Sequence, residues 1–211
     1  MPTKEDFHSF LRTRRSIRRF KTDPVPDSVL RDILHTATFA PSAHNRQPWR
    51  FIVVTDAAQS VKEKLANAMA VEFQRDLEKD NLPPDEITKR VNKSLERITS
   101  APVVIILCVD MSEMDEYPDT HRKKAEYIIA TQSTANAGMQ VLLAAHAEGL
   151  GGVWVCSPMF AQEIVQEALE IPKTWEPQAM FLLGYPVEIP AVRGRKSIEE
   201  VMRWSQTSPD V

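Results

Sequence analysis

Val103-Val104-Ile105-Ile106-Leu107-Cys108-Val109 is an unbroken apolar run, mostly β-branched, with no alternation of polar and apolar positions. Such a run suits a strand buried on both faces. Toward the N-terminus, Asp85–Thr99 carries a charged helical pattern, and Asn81-Leu82-Pro83-Pro84 breaks it. From Gln59 to Asp80 the chain again reads as helix, with charges spaced for i,i+4 pairs. The charged region 76–99 is therefore expected either as a lid or arm, or as a solvated pair of surface helices.

Phe51-Ile52-Val53-Val54 reads as a first buried strand. Before it, Val29, Leu30, Ile33, Leu34 and Ala37 share one helical face, which Asp27 can cap and Pro41 ends. Thr3-Lys4-Glu5-Asp6 resembles a capping box ahead of Phe7, Phe10 and Leu11. Toward the C-terminus, Thr120–Glu148 is one long helical pattern. The small residues Ser133–Gly138 at its middle permit close packing, either in the core or across a dimer. Gly151–Cys156 reads as a short strand, Ala161–Leu169 as a helix, Met180–Leu183 as a strand and Ser197–Arg203 as a short helix in an irregular tail. With no repeat, low-complexity stretch or clear linker, residues 1–211 are expected as a single α+β domain. Residues 187–211 form a C-terminal extension of the kind that wraps a partner.

A chain of 211 residues, 43% of them hydrophobic and 26% charged, can bury a substantial core and is not disordered throughout. The net charge of −3 argues against bulk binding of nucleic acid. Cys108 and Cys156 each sit in an apolar run and are expected as buried, reduced thiols. Without a Cys-x-x-Cys pair, neither a zinc knuckle nor a redox dithiol is indicated. His8, His35, His44, His121 and His146 lack metal-ligand spacing, so no metal is expected. The polar start, Met1-Pro2-Thr3-Lys4-Glu5-Asp6, has no apolar h-region, and no apolar run is long enough to span a membrane, which makes the cytoplasm the expected location. The glycines form no Gly-x-Gly-x-x-Gly after a strand, and no Walker-type phosphate loop is present.

Four segments carry potential chemistry. Arg14-Arg15-Ser16-Ile17-Arg18-Arg19-Phe20 is a dense anion site in which guanidinium forks match phosphate geometry, or else a solvated cationic run at a helix C-terminus. Ala40-Pro41-Ser42-Ala43-His44-Asn45-Arg46-Gln47-Pro48-Trp49-Arg50-Phe51 is a stiff, polar, donor-rich connection from helix to strand, suited to meeting a ligand or simply to linking two elements. Gly149-Leu150-Gly151-Gly152-Val153-Trp154-Val155-Cys156-Ser157-Pro158 allows close backbone approach to a planar ligand, or is a helix cap followed by a core strand. Arg193-Gly194-Arg195-Lys196 is a second cationic cluster in the tail.

In this order, the four segments resemble the nitroreductase superfamily over nearly the whole chain, from Arg14 to about Met202. The resemblance implies an α+β sandwich, a mostly antiparallel sheet flanked by helices, in an intertwined homodimer with two FMN sites at the interface. It implies that Arg14, Arg15, Ser16 and Arg18 grip the FMN phosphate and ribityl oxygens, and that Arg195 meets the phosphate. Pro41, Ser42 and Asn45 would add polar contacts from the other subunit, and Val155, Cys156 and Ser157 would lie against the flavin, mostly through backbone. The implied activity is ping-pong hydride transfer from NADH or NADPH through FMN to a small organic acceptor such as a quinone or nitroaromatic. No catalytic side chain is implied, because the cofactor carries the hard step.

A narrower resemblance is to the FMN-binding C-terminal half of the bifunctional coenzyme F-420 glutamyl ligase. It rests on Arg75-Asp76-Leu77 before Asn81-Leu82-Pro83-Pro84-Asp85, on Tyr117-Pro118-Asp119 before Ala125-Glu126, and on Trp175-Glu176-Pro177 before Gly184-Tyr185. It implies reduction of a dehydro precursor of the deazaflavin coenzyme. The ligase half has no counterpart here, and Asn45-Arg46-Gln47 departs from that relative's loop. A flavin-binding protein without turnover is the remaining alternative.

Overall fold

Four strands pair antiparallel in the order β1-β2-β4-β3: β1 Trp49–Thr55, β2 Val103–Asp110, β3 Gly151–Val155 and β4 Trp175–Gly184. The computed structural model describes residues 2–205, so the last six residues of the expected 187–211 extension, like Met1, lie outside the described residues. Every residue of β2 is buried, as its unalternating run predicts. The two faces of the sheet divide by parity, because successive side chains of a strand point to opposite sides. Val103, Ile105, Leu107, Phe181 and Leu183 pack under α2 (Asp27–Ala37) and α5 (Thr120–Ala147). Val104, Ile106, Cys108, Met180 and Leu182 pack under α3 (Gln59–Lys79), α4 (Pro84–Thr99) and α6 (Gln162–Leu169). The result is the expected helix–sheet–helix sandwich.

The small-residue stretch in α5 serves the core. At Gly138 a Cβ would lie 2.5 Å from the Trp154 ring and 2.9 Å from both Leu107 and Phe181, so the helix sits almost in contact with the sheet there. α5 ends where Gly149 adopts φ +74, with Leu150 N–H donating to Ala145 O at 2.8 Å, and the chain turns directly into β3. α1 (Lys4–Thr13) starts with the expected capping box between Thr3 and Asp6.

Several boundaries differ from the sequence expectation. Pro26, not Asp27, occupies the N-cap of α2, and the helix stops at Ala37 with Thr38 turning the chain ahead of Pro41. β4 begins at Trp175 rather than Met180. Its register shifts so that Leu107 faces Ala179 while Cys108 faces Pro177, and this bulge accommodates a proline that breaks the strand pattern. α3 and α4 form a hairpin about Asn81, which has φ 57, with Met69, Leu77, Ile87 and Ile98 buried. Lys62 departs from the expected solvated charge pattern: it is fully buried, paired with Asp56 and donating to Ala101 O at 2.7 Å. Cys108 is buried as expected, but Cys156 is exposed, because β3 ends one residue before it at the sheet edge. In the tail, α7 (Ile198–Val201) carries its own capping box from Ser197 to Glu200.

Candidate functional site

The arginine segment leaves α1 and runs along the outer edge of β3. Ser16 bridges Gly152 in parallel, and Ile17 N–H donates to Gly152 O at 3.0 Å. The missing side chain at Gly151 makes this possible, since a Cβ there would lie 2.7 Å from Ile17. Ile17 is buried while Ser16 and Arg18 on either side are exposed, the alternation of an extended chain. Arg15 folds back and donates to Arg12 O at 2.6 Å and Arg14 O at 2.8 Å, so its guanidinium also closes the end of α1. Arg19 pairs with Glu188 at 3.1 Å. Among the described residues no carboxylate lies within 4 Å of Arg14, Arg15 or Arg18. Three unneutralised guanidinium groups within five residues favour an anion.

His146 closes the other side of this segment. Its ring stacks on Phe10 with centroids 4.9 Å apart and lies 3.2 Å from Thr13 Oγ1. Burial first, and then the charges of Arg14 and Arg15, hold its pKa below the usual 6.5. Arg14, Arg15, His146 and the Gly149–Gly152 turn together line a cavity of about 150 Å³.

The connection from α2 to β1 is a stiff loop. His44, Asn45 and Gln47 have φ of 49, 54 and 51. Left-handed backbone costs non-glycine residues roughly 1–2 kcal/mol each, so the surroundings must hold this shape. Ser42 Oγ accepts from Gln47 N–H at 3.1 Å, Ala43 N–H donates to Ser133 Oγ at 3.2 Å, and Asn136 donates to Pro41 O at 3.3 Å. Arg46 pairs with Asp115. Asn45 itself is exposed.

At the far end of β3, Trp154 Nε1 lies 3.2 Å from Cys156 Sγ, Cys156 is exposed, and Ser157 opens a short 3-10 turn through Phe160. The Ser157 hydroxyl is buried with no partner among the described residues.

These parts are only partly assembled within one chain. The arginine segment and the Val155–Ser157 turn share the β3 edge. The Pro41–Gln47 loop leads into β1, at the opposite edge, three strand spacings or about 14 Å away. Arg195 is exposed in the tail, donating to Arg193 O and Gly194 O at 3.1 Å each. Ser133 and Asn136, which hold the loop from α5, lie in the stretch read from the sequence only as small residues for close packing, so their role as polar partners of the loop was not signalled. Beside the turn, Glu176 of the Trp175-Glu176-Pro177 motif accepts from Gln162 at 2.9 Å, from Gln178 at 2.7 Å and from Tyr127 OH, a cluster whose other members the sequence did not single out. Burial, and then the bond to Glu176, raise the Tyr127 pKa. The donor set along Arg14–Arg18 and the glycine-lined β3 edge suit the anionic end of a ligand such as FMN.

Comparison with known proteins agrees with this fold. The nitroreductase family model matches residues 11–185. An NADH dehydrogenase of Thermus thermophilus is 32% identical over 217 residues, an alignment that covers 90% of this chain and 92% of that protein. Among solved structures, a BluB-like flavoprotein from Clostridium difficile superposes with a TM-score of 0.76 at 23% identity, over 95% of this chain and 99% of that one. The NADPH:FMN oxidoreductase of Vibrio harveyi, solved with NAD+, gives a TM-score of 0.69 at 21% identity, covering 96% of this chain and 78% of that one.

Proposed function

The chain belongs to the nitroreductase family, and from that premise we propose that it is an FMN-dependent oxidoreductase. It takes hydride from NADH or NADPH and passes it to a small organic acceptor such as a quinone or nitroaromatic. The observation that carries this reading is the guanidinium set of Arg14, Arg15 and Arg18, unneutralised among the described residues and held beside the glycine-lined edge of β3. When bound, FMN supplies a ring that accepts hydride from one partner and gives it to the next at a single site. The chain's part is to bind and orient. Arg14, Ser16 and Arg18 hold the phosphate and ribityl oxygens, and Arg15 adds charge while fixing the end of α1. Val155, Cys156 and Ser157 offer backbone groups to the ring edge. The stiff Pro41–Gln47 loop presents Pro41, Ser42 and Asn45 without further ordering cost.

The reading includes a homodimer. The loop lies across the sheet from the arginine segment, so a second copy is what brings the two together. Uncovered apolar surface supports this: α1 has no buried residue despite Phe7 and Leu11, and Ile189, Val192 and Trp204 of the tail are all more than 70% exposed. In the dimer the tail delivers Arg195 to the phosphate. The protein works in the cytoplasm in this reading; among the described residues, no helix is long and apolar enough to cross a membrane. The motifs around Asn81–Asp85 and Trp175–Pro177 support a second acceptor class, a dehydro precursor of the deazaflavin coenzyme. Steady-state kinetics with NADH or NADPH and menadione test the proposal: parallel double-reciprocal lines, the ping-pong signature, are expected. Absence of nicotinamide oxidation in FMN-loaded protein would overturn it.

A further inference from the structure

A second, larger cavity, about 660 Å³, opens between the α3–α4 hairpin and the end of β3. That volume falls within the range of small-molecule sites. Its apolar wall is formed by Met69, Phe73 and Leu77 on one side and by Val155 and Phe160 on the other.

Its charge is unevenly distributed. Arg90, Lys93 and Arg97 line it from one face of α4, at spacings of three and four residues. Arg90 is occupied by Glu86. Neither Lys93 nor the half-buried Arg97 has a carboxylate within 4 Å among the described residues. Two like charges at i,i+4 repel each other, and an anion between them removes that penalty. The opposite wall carries Glu72 and Asp76, but these are paired with Arg75 and Lys79 on their own helix. Asp80, which has no ion pair among the described residues, sits at the hairpin tip. Arg97 lies thirteen residues into α4, roughly 20 Å from that tip. The cavity is thus acidic at its hairpin-tip end and basic toward the C-terminal end of α4. The buried, unpartnered hydroxyl of Ser157 lines the same cavity.

We infer that this cavity is the acceptor site and that it takes acceptors with a flat apolar body and one acidic group, held by Arg97 with help from Lys93. The assignment to the acceptor rests on the flavin reading above, because Val155 and Ser157 are shared by the cavity and the proposed flavin edge. The hairpin then acts as the lid of that site.

Two readouts separate the site from the reaction. The first is fluorescence titration with 8-anilinonaphthalene-1-sulfonate and with its neutral counterpart, N-phenyl-1-naphthylamine. In Arg97→Gln the sulfonate is expected to bind about tenfold more weakly, as loss of a charge-assisted hydrogen bond implies, with the neutral probe little changed. Arg97→Lys restores part of the loss. Equal effects on both probes, or no effect, would overturn the anion site. The second is the ratio of kcat/KM for 4-nitrobenzoate to that for nitrobenzene, expected to fall about tenfold in Arg97→Gln. Discrimination between the probes without any nitro reduction leaves the anion site standing and removes the reductase reading. Reduction with an unchanged ratio leaves the reductase reading standing and overturns the assignment of this cavity to the acceptor.

Discussion

Replacing Gly138 by alanine tests how tightly the fold and the site are joined. The added Cβ would lie 2.5 Å from the Trp154 ring and 2.9 Å from Leu107 and Phe181. Comfortable carbon contacts are about 3.5–4.0 Å, so the neighbours would have to retreat by roughly 0.6–1.5 Å. Leu107 and Phe181 are fully buried, and Trp154 meets Phe181 edge-on with centroids 5.1 Å apart, so no neighbour moves alone. Overpacking of this kind costs about 1–3 kcal/mol. Against it stands a gain of about 1 kcal/mol from removing a mid-helix glycine. With three stiff neighbours the upper half of the cost applies, leaving a net loss of about 1–2 kcal/mol, or a Tm lower by about 2–8 °C. Thermal unfolding of the cofactor-free protein measures this. Gly194→Ala is the control, because a Cβ there meets nothing within 4 Å, and its Tm should match wild type. The displaced Trp154 also donates toward Cys156, so Gly138→Ala should change the rate of thiol modification there. A Tm for Gly138→Ala equal to or above wild type would refute the packing argument.

In the native protein, only one of the two thiols should react with an aromatic disulfide reagent. Cys156 is exposed, whereas burial, then the charge of Glu176, pushes the Cys108 pKa up to about 12; two equally fast thiols would contradict this. Saturating FMN should slow the Cys156 reaction, and an unchanged rate would remove that residue from the flavin contact. Arg14→Ala and Arg195→Ala should each weaken FMN retention about tenfold, read by flavin fluorescence on titration; full occupancy and unchanged affinity in the double variant would sink both assignments. His146 has a native pKa below 6.5, so the unfolded chain takes up its proton first as pH falls. Its contribution to stability is complete above 6.5 and is lost as pH drops through the native pKa. His146→Gln should therefore flatten the acid side of the curve of denaturation midpoint against pH, and an unchanged slope would contradict the shift.

The elements that were legible in the sequence are those whose local signals and tertiary roles agree. The Val103–Val109 run, the capping box at Thr3, and the small residues before Gly138 all appear where their chemistry puts them. The first half of β4 was not legible, because Glu176, Pro177 and Gln178 break the strand pattern and only a bulge against β2 accommodates them. Lys62 reads as a surface charge, yet Asp56 and Ala101 O hold it in the interior, a pairing across the fold that no local pattern contains. The same limit applies to the site. The arginine segment and the glycines of β3 were visible as motifs, and the structure joins them. The cations Lys93 and Arg97, unpaired among the described residues, were hidden within an ordinary charged helix, since a free charge is defined by what fails to pack beside it. Cys156 looked buried because its neighbours are apolar; its exposure follows from lying just past the end of an edge strand.

The most direct test of the central claim is the visible absorption spectrum of the purified protein, recorded under anaerobic conditions before and after addition of NADPH or NADH. Flavin bands that bleach with a nicotinamide and return when an acceptor is added are the expected result. A protein that shows no flavin bands, even after reconstitution with FMN, would contradict it.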